Sequence, residues 1–169
     1  MRRFAIAALL CSGCSGLINF DVDSSGQSTI PGSPTGSLLP GIIGFGGFNN
    51  LSFSQSAQFQ NNNTNKDHIS ECRLTKLTLK VVSPGGRTLS FLTKIDFFIQ
   101  APDLPKVHIA GLNPVPGTVS ADLVLDDRDI AAYAKSDTFS ITTEAAGQTP
   151  STDTTIEADL RLHVNASVL

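Results

Sequence analysis

From about residue 68 onward the chain alternates apolar and polar side chains with a period of two. The pattern is sharpest near the C-terminus, where Ile156, Ala158, Leu160, Leu162 and Val164 alternate with Glu157, Asp159, Arg161 and His163. Successive side chains of a strand point to opposite faces, so this run predicts a strand with one buried and one wet face. Lys76 to Val82 repeats the pattern with Leu77, Leu79 and Val81, and Leu89 to Gln100 does so with Phe91, Ile95, Phe97 and Ile99. Ser83-Pro84-Gly85-Gly86 between them has turn chemistry, because Pro fixes φ and Gly permits positive φ. The two runs are therefore expected to form a hairpin. Further strands are predicted over Lys106 to Ala110, Val119 to Leu125, and Thr138 to Thr143 with Phe139 and Ile141 inward. Asn113-Pro114-Val115-Pro116-Gly117 and the Gly147 to Thr152 stretch supply turns.

The stretch from about Ser15 to Asp67 is rich in Gly, Ser, Asn and Gln. It opens with a strand signal, Leu17 to Val22, and then loosens through SSGQSTIPGSPTGS, whose residues favour loops. LLPGIIGFGGFNNLSF is apolar but broken by glycines, which oppose a helix. It reads as a loop packed over one end of the fold, followed by a strand over about Leu51 to Phe59. There Leu51, Phe53, Ala57 and Phe59 share one parity. An exposed greasy loop at Leu38 to Phe48, touching membrane or a partner, is the alternative. Asn61 to Asn65 reads as a polar surface loop.

One helical signal is present. Asp126 or Asp127 can cap a short helix ending near Lys135, with acids first and Lys135 last as the helix dipole prefers. Together the elements predict an all-β fold, an antiparallel Ig-like β-sandwich of about seven to nine strands with one short helix. "Ig-like" denotes architecture only, since no disulfide or core Trp marks an immunoglobulin domain.

The first residues break from this pattern. Arg2 and Arg3 are followed by an apolar run, Phe4 to Leu10, then by small residues Ser12 and Gly13 and by Cys14. Charge, grease, small residues and a cleavage point is the order of a secretory signal. The apolar run is far shorter than the ~20 residues a spanning helix needs. With its cysteine directly after the small pair, the segment over residues 1 to 16 resembles the signal of bacterial lipoproteins. In that family a box of Leu, Ala or Ser, Gly or Ala, and Cys is cleaved before the cysteine, which then carries acyl chains. Here the box reads Cys11-Ser12-Gly13-Cys14, with Cys11 where Leu is usual. A second frame, Ala8-Leu9-Leu10-Cys11, is a poorer cleavage site. The resemblance implies a signal peptide at 1–13, lipidation at Cys14, and a partner in the membrane through that anchor. Each buried methylene contributes about 0.8 kcal/mol, and stable anchoring takes more than one chain. The resemblance also implies a bacterial cell-envelope location. Asp21 and Asp23 lie too far from Cys14 to resemble an inner-membrane retention signal, which points to the outer membrane.

Composition agrees. The chain has three cysteines, Cys11, Cys14 and Cys72. Removal of the first and acylation of the second leave Cys72 alone, so the exported domain must rely on its core rather than on disulfides. Cys72 reads as a small buried hydrophobe. Without Arg2 and Arg3 the chain holds ten basic residues against 15 acidic ones, a net charge near −5. No basic face for nucleic acid exists in such a balance. The mature chain divides into 14–67, with the lipidated N-terminus, first strands and polar loops, and 68–169, with the main sandwich strands. Part of the former joins the latter in one domain. The Gly- and Ser-rich part is expected to act as a flexible tether.

Catalytic and metal patterns are sparse. His68, His108 and His163 lie on different elements, and no HxxxH pair is present to place two imidazoles on one helix face. No G-x-S-x-G elbow, phosphate loop or other cofactor motif occurs, so no enzyme and no cofactor are expected. Two acidic groups are weak calcium candidates. Asp21-Val22-Asp23-Ser24-Ser25-Gly26 begins like a calcium loop but has Gly32 at the twelfth position, where such a loop needs Glu. Asp126, Asp127 and Asp129 form the second group, which helix capping explains without a metal. Asn50-Leu51-Ser52, Asn62-Asn63-Thr64 and Asn165-Ala166-Ser167 match the glycosylation sequon, which means little in a bacterial setting. The function expected is a membrane-anchored, non-enzymatic structural or binding sandwich. A freely secreted adhesin or surface-assembly subunit and a calcium-dependent binding domain are the alternatives.

Overall fold

The computed structural model describes residues 16–39, 41–53 and 56–168. Residues 1–15, with Cys11 and Cys14, lie outside the described residues. Eight strands form two antiparallel sheets. β1 (Leu17–Ile30), β8 (Thr154–Ser167), β2 (Ile69–Ser83) and β5 (Ser120–Asp122) make one sheet in the order β1-β8-β2-β5. β6 (Val124–Leu125), β4 (Leu104–Leu112), β3 (Leu92–Ala101) and β7 (Ser140–Gly147) make the other in the order β6-β4-β3-β7. Two short helices, α1 (Ala57–Asn61) and α2 (Ala131–Ala134), lie between strands. The expected all-β sandwich is thus the fold.

The core is the apolar parity of each strand. Ile156, Ala158, Leu160, Leu162, Val164 and Ala166 of β8 face Ile95, Phe97 and Ile99 of β3 across the interior, all buried. Full burial of each large side chain contributes about 1.5–3 kcal/mol. β2 shows how a strict period is bent to fit. Cys72 and Leu74 are inward on even positions, whereas Leu77, Leu79 and Val81 are inward on odd ones. The register slips between Leu74 and Lys76, so Thr75 is the extra residue of a β-bulge that returns the apolar side chains to the core.

Several expectations change. β2 and β3 are not a hairpin. β2 pairs with β8 and β5, β3 pairs with β4 and β7, and the chain crosses from one sheet to the other between Ser83 and Leu92. The Val119 to Leu125 strand divides in the same way, with buried Leu123 at the crossing between β5 and β6. The stretch SSGQSTI is strand rather than loop. β1 pairs with β8 without a register break from Leu17↔Ser167 to Ile30↔Thr154. Its Gly26 is buried, and a Cβ there would lie 2.5 Å from the Gly46 carbonyl oxygen, so a side chain would displace the neighbouring backbone. Leu51 to Phe59 is not a strand. Leu51 makes one bridge to Phe139, and α1 then places Phe59 against Phe20 and Phe53, at ring separations of 4.9 and 5.3 Å. The shared parity of Leu51, Phe53 and Phe59 comes from two loop anchors and a helix that fill one corner. The second helix is four residues long and is capped by neither Asp126 nor Asp127.

Residues 38–39 and 41–51 close the flank between the two sheets. They run antiparallel to β7, with bridges Leu38↔Gln148, Ile42↔Glu144 and Leu51↔Phe139. The Gly46 N–H donates to the Gln27 carbonyl of β1 at 2.9 Å. Leu39, Ile43, Phe45 and Phe48 are buried, while Leu38 and Ile42 stay exposed. The segment is therefore part of the sandwich wall, not a tether. With it counted, the pairings nest: β1 with β8, residues 38–39 and 41–51 with β7, β2 with β5, β3 with β4. That is a long hairpin rolled into two layers, the connectivity of a jelly roll. The fold is immunoglobulin-like in its two-layer architecture and not in its strand order.

Candidate functional site

The outer face of the β1-β8-β2 sheet carries the densest polar chemistry. Period-two alternation places Asp21, Asp23 and Gln27 of β1 beside His163, Arg161 and Glu157 of β8, and Arg73 and Lys80 of β2 beyond them. Asp21 Oδ1 meets His163 Nδ1 at 2.8 Å. Arg161 donates to both oxygens of Asp23, at 2.7 and 3.0 Å. The guanidinium holds the Asp23 carboxyl below its ordinary range. The Lys80 ammonium bridges Glu157 and Asp159 at 2.6 and 2.9 Å. Its contact, with that of Gln27, pulls the Glu157 carboxyl down. Arg73 pairs with Glu71 at 2.6 Å and lowers its carboxyl, aided by the Asn165 amide. A groove of about 560 Å³ crosses this face, lined by Asp21, Lys76, Asp122, Arg161 and His163. The groups are mutually neutralised, so the face binds itself together more than it presents one sign of charge.

The calcium candidates fall within this network and beside it. Asp21 and Asp23 lie in the middle of β1, extended and paired, so no loop wraps a cation there. Asp126 Oδ2 lies 2.9 Å from His108 Nδ1. Asp127 pairs with Arg73. Asp129 Oδ1 accepts the N–H groups of Cys72 and of Ala131, the first residue of α2, at 3.0 and 2.9 Å. The two acidic groups do not meet. Asp21, His163, Arg73 and Asp129 follow one another across the sheet, which sets Asp21 and Asp129 three strand spacings apart, about 14 Å. Basic side chains stand between them. Among the described residues no group of three or more His, Cys, Asp or Glu is arranged to hold a metal ion.

The opposite sheet carries a cluster that sequence reading missed. His108 on β4 sits between Asp96 of β3, at 3.4 Å, and Asp126 after β6, at 2.9 Å. Gly111 makes room for it: a Cβ there would lie 2.7 Å from Asp96 Oδ1 and 3.1 Å from His108 Nε2. Phe98 packs edge-on against the imidazole, and the Lys106 ammonium lies 4.3 Å from the Phe98 ring centre. Asp96 and Asp126 are 12 and 18 positions from His108, and only the β3-β4-β6 pairing aligns them. The outward parity of Asp96 and His108 was the sole local signal. The imidazole thus ties β3, β4 and the segment after β6 together on the outer face of this sheet.

Cys72 is fully buried on β2 and free, and burial pushes its thiol up to about 12. It is the small hydrophobe the sequence suggested. His68 meets the Ser167 hydroxyl at 3.1 Å. The lipidation candidate, Cys14, lies outside the described residues. No described helix is long and apolar enough to cross a membrane.

No protein-family model matches the chain, and neither does any curated protein. Among solved structures it is similar to the BFDV capsid protein in a decameric form, at 12% identity and a TM-score of 0.41, over 89% of this chain and 99% of that one. The 60-mer form of the same capsid protein is similar at 11% identity and a TM-score of 0.42, over 91% and 95% of the two chains. At that distance the likeness carries no argument about function.

Proposed function

We propose that this chain is a lipid-anchored protein of the bacterial cell envelope, in the outer membrane, whose sandwich is a non-enzymatic structural or binding module. One observation carries the reading: the order of charge, apolar run, small residues and cysteine over residues 1–14, ending at Cys14. The burial of Cys72 supports it, because a thiol enclosed on β2 does not compete for Cys14 as a disulfide partner. The polar clusters on both outer faces are held by their own counter-charges, which suits a surface that is soluble and inert. A tight core without disulfides gives the exported domain its rigidity.

Intact mass of the mature protein tests the reading, since it reports the cleavage site and the acyl chains together. A mass equal to residues 14–169 plus acyl chains is expected. Cys14→Ala is expected to abolish acylation and to move the protein out of the membrane fraction. Unchanged mass addition and unchanged fractionation in that variant would refute the anchor.

A further inference from the structure

The point at which the chain enters the sandwich decides how an anchored domain meets its membrane. β1 begins at Leu17, which lies opposite Ser167, and the Val168 N–H donates to the Gly16 carbonyl at 3.2 Å. Both ends of the described chain therefore leave from the same end of the sandwich. Only Ser15 and Gly16 separate Cys14 from Leu17. Three Cα steps reach at most about 11 Å when fully extended. β1 alone, at 14 residues, is on the order of 45 Å long. The anchor is thus short against the body it holds, and the Gly- and Ser-rich stretch that would have lengthened it is built into β1 and the sandwich wall.

The surface at that end is defined by contacts. Ser167 meets His68 through its hydroxyl at 3.1 Å, and its carbonyl accepts the Thr64 hydroxyl at 2.6 Å. The neighbouring Lys66 ammonium donates to the Lys135 carbonyl at 2.8 Å and pairs with Asp137 at 3.2 Å. A cleft of about 340 Å³ beside it is lined by Lys66, Asp103, Lys135 and Asp137. Leu17, at the start of β1, is 77% exposed. Acidic and basic groups are interspersed here, with the exposed apolar side chains of Leu17 and Val168 where the chain enters the sandwich. Such a surface matches zwitterionic headgroups, which carry both signs, and it is too polar to enter hydrocarbon.

We propose that this end of the sandwich, bearing Leu17, Lys66, Asp103 and Asp137, is a docking surface for the phospholipid headgroup layer. The domain is held upright on it by the two-residue connection to Cys14. The inference rests on the lipid-anchor reading. The opposite end, where Arg87 donates to Ser151 and Thr152 and the Gly32 N–H donates to Asp153, then points away from the bilayer.

The test uses the full acylated protein in phosphatidylcholine vesicles. Asp103→Cys and Gly85→Cys place one fluorophore at the near end or the far end, both in exposed turns, while buried Cys72 stays unlabelled. Headgroup-attached nitroxide lipids are expected to quench the Asp103→Cys label several-fold more than the Gly85→Cys label. Ten Gly and Ser residues inserted between Gly16 and Leu17 are expected to remove most of that difference. Equal quenching at the two ends, in protein whose mass shows its acyl chains, would overturn the docking surface and leave the anchor standing. Protein without acyl chains would overturn both.

Discussion

Arg161 on β8 grips Asp23 on β1 in a fork, Nε to Oδ1 at 2.7 Å and Nη2 to Oδ2 at 3.0 Å. The fork clamps the first strand of the sandwich to its last, across 138 positions of sequence. The Asp23 carboxyl is held below its ordinary 3.8, chiefly by the hydrogen bond from Arg161. A carboxyl lowered on folding stabilises the native state above its unfolded pKa, and that contribution is lost as pH falls through the folded pKa. Asp23→Asn is therefore expected to be slightly less stable than the parent at neutral pH. The two proteins should converge well below pH 3.8. Denaturant titrations across the acid range check this, and a gap that persists in strong acid would count against it. The pair is solvent-exposed, so the effect is small.

Phe48 is fully buried in the segment that closes the flank between the sheets. If that segment is wall rather than tether, Phe48→Ala should cost about 3–5 kcal/mol, as for a large core side chain. Leu38→Ala, at an exposed position of the same segment, should cost little. Urea midpoints of the two variants decide the point; equal midpoints would refute the structural role of the segment.

Gly26 faces the Gly46 carbonyl, with no room for a methyl group. Gly26→Ala is expected to destabilise by about 1–3 kcal/mol, the usual cost of overpacking, although alanine suits a strand better than glycine. Gly85→Ala, where a Cβ meets nothing within 4 Å, is the control and should leave stability near that of the parent.

The Cys72 thiol is buried and pushed up to about 12. It is expected to resist a thiol reagent at mildly alkaline pH in the native protein and to react at once in denaturant. Its labelling rate should rise as denaturant opens the core. Rapid native labelling would show that β2 is not closed over it.

Much of the fold is legible in the sequence because one face of each long strand is buried and one is wet. β8, β3 and the two halves of β2 carry that alternation openly, and β7 shows it through Ile141 with Phe139 just before the strand. β1 loses it after Val22, where Ser, Gly, Gln and Thr occupy both faces. There strand conformation is imposed by pairing with β8 and by Gly26 fitting beneath Gly46, not by local preference. The Leu51 to Phe59 parity misled for the opposite reason. Aromatic side chains fill a corner equally well from a loop or from a helix turn, and parity does not record which.

By itself the sequence determined the sandwich class and most of its long strands. Those follow from composition and short-range periodicity, which act between neighbours in the chain. Tertiary structure decided the partners: that β2 and β3 lie in different sheets, that residues 38–39 and 41–51 are wall, and that His108 stands between Asp96 and Asp126. It also divided the calcium candidates among Arg161, His163, Arg73, His108 and, for Asp129, the backbone N–H groups of Cys72 and Ala131. A period of two says which side of a strand is apolar and nothing about the strand it lies against. That choice is settled by packing the whole apolar surface at once, between strands as far apart in sequence as Leu17 and its partner Ser167.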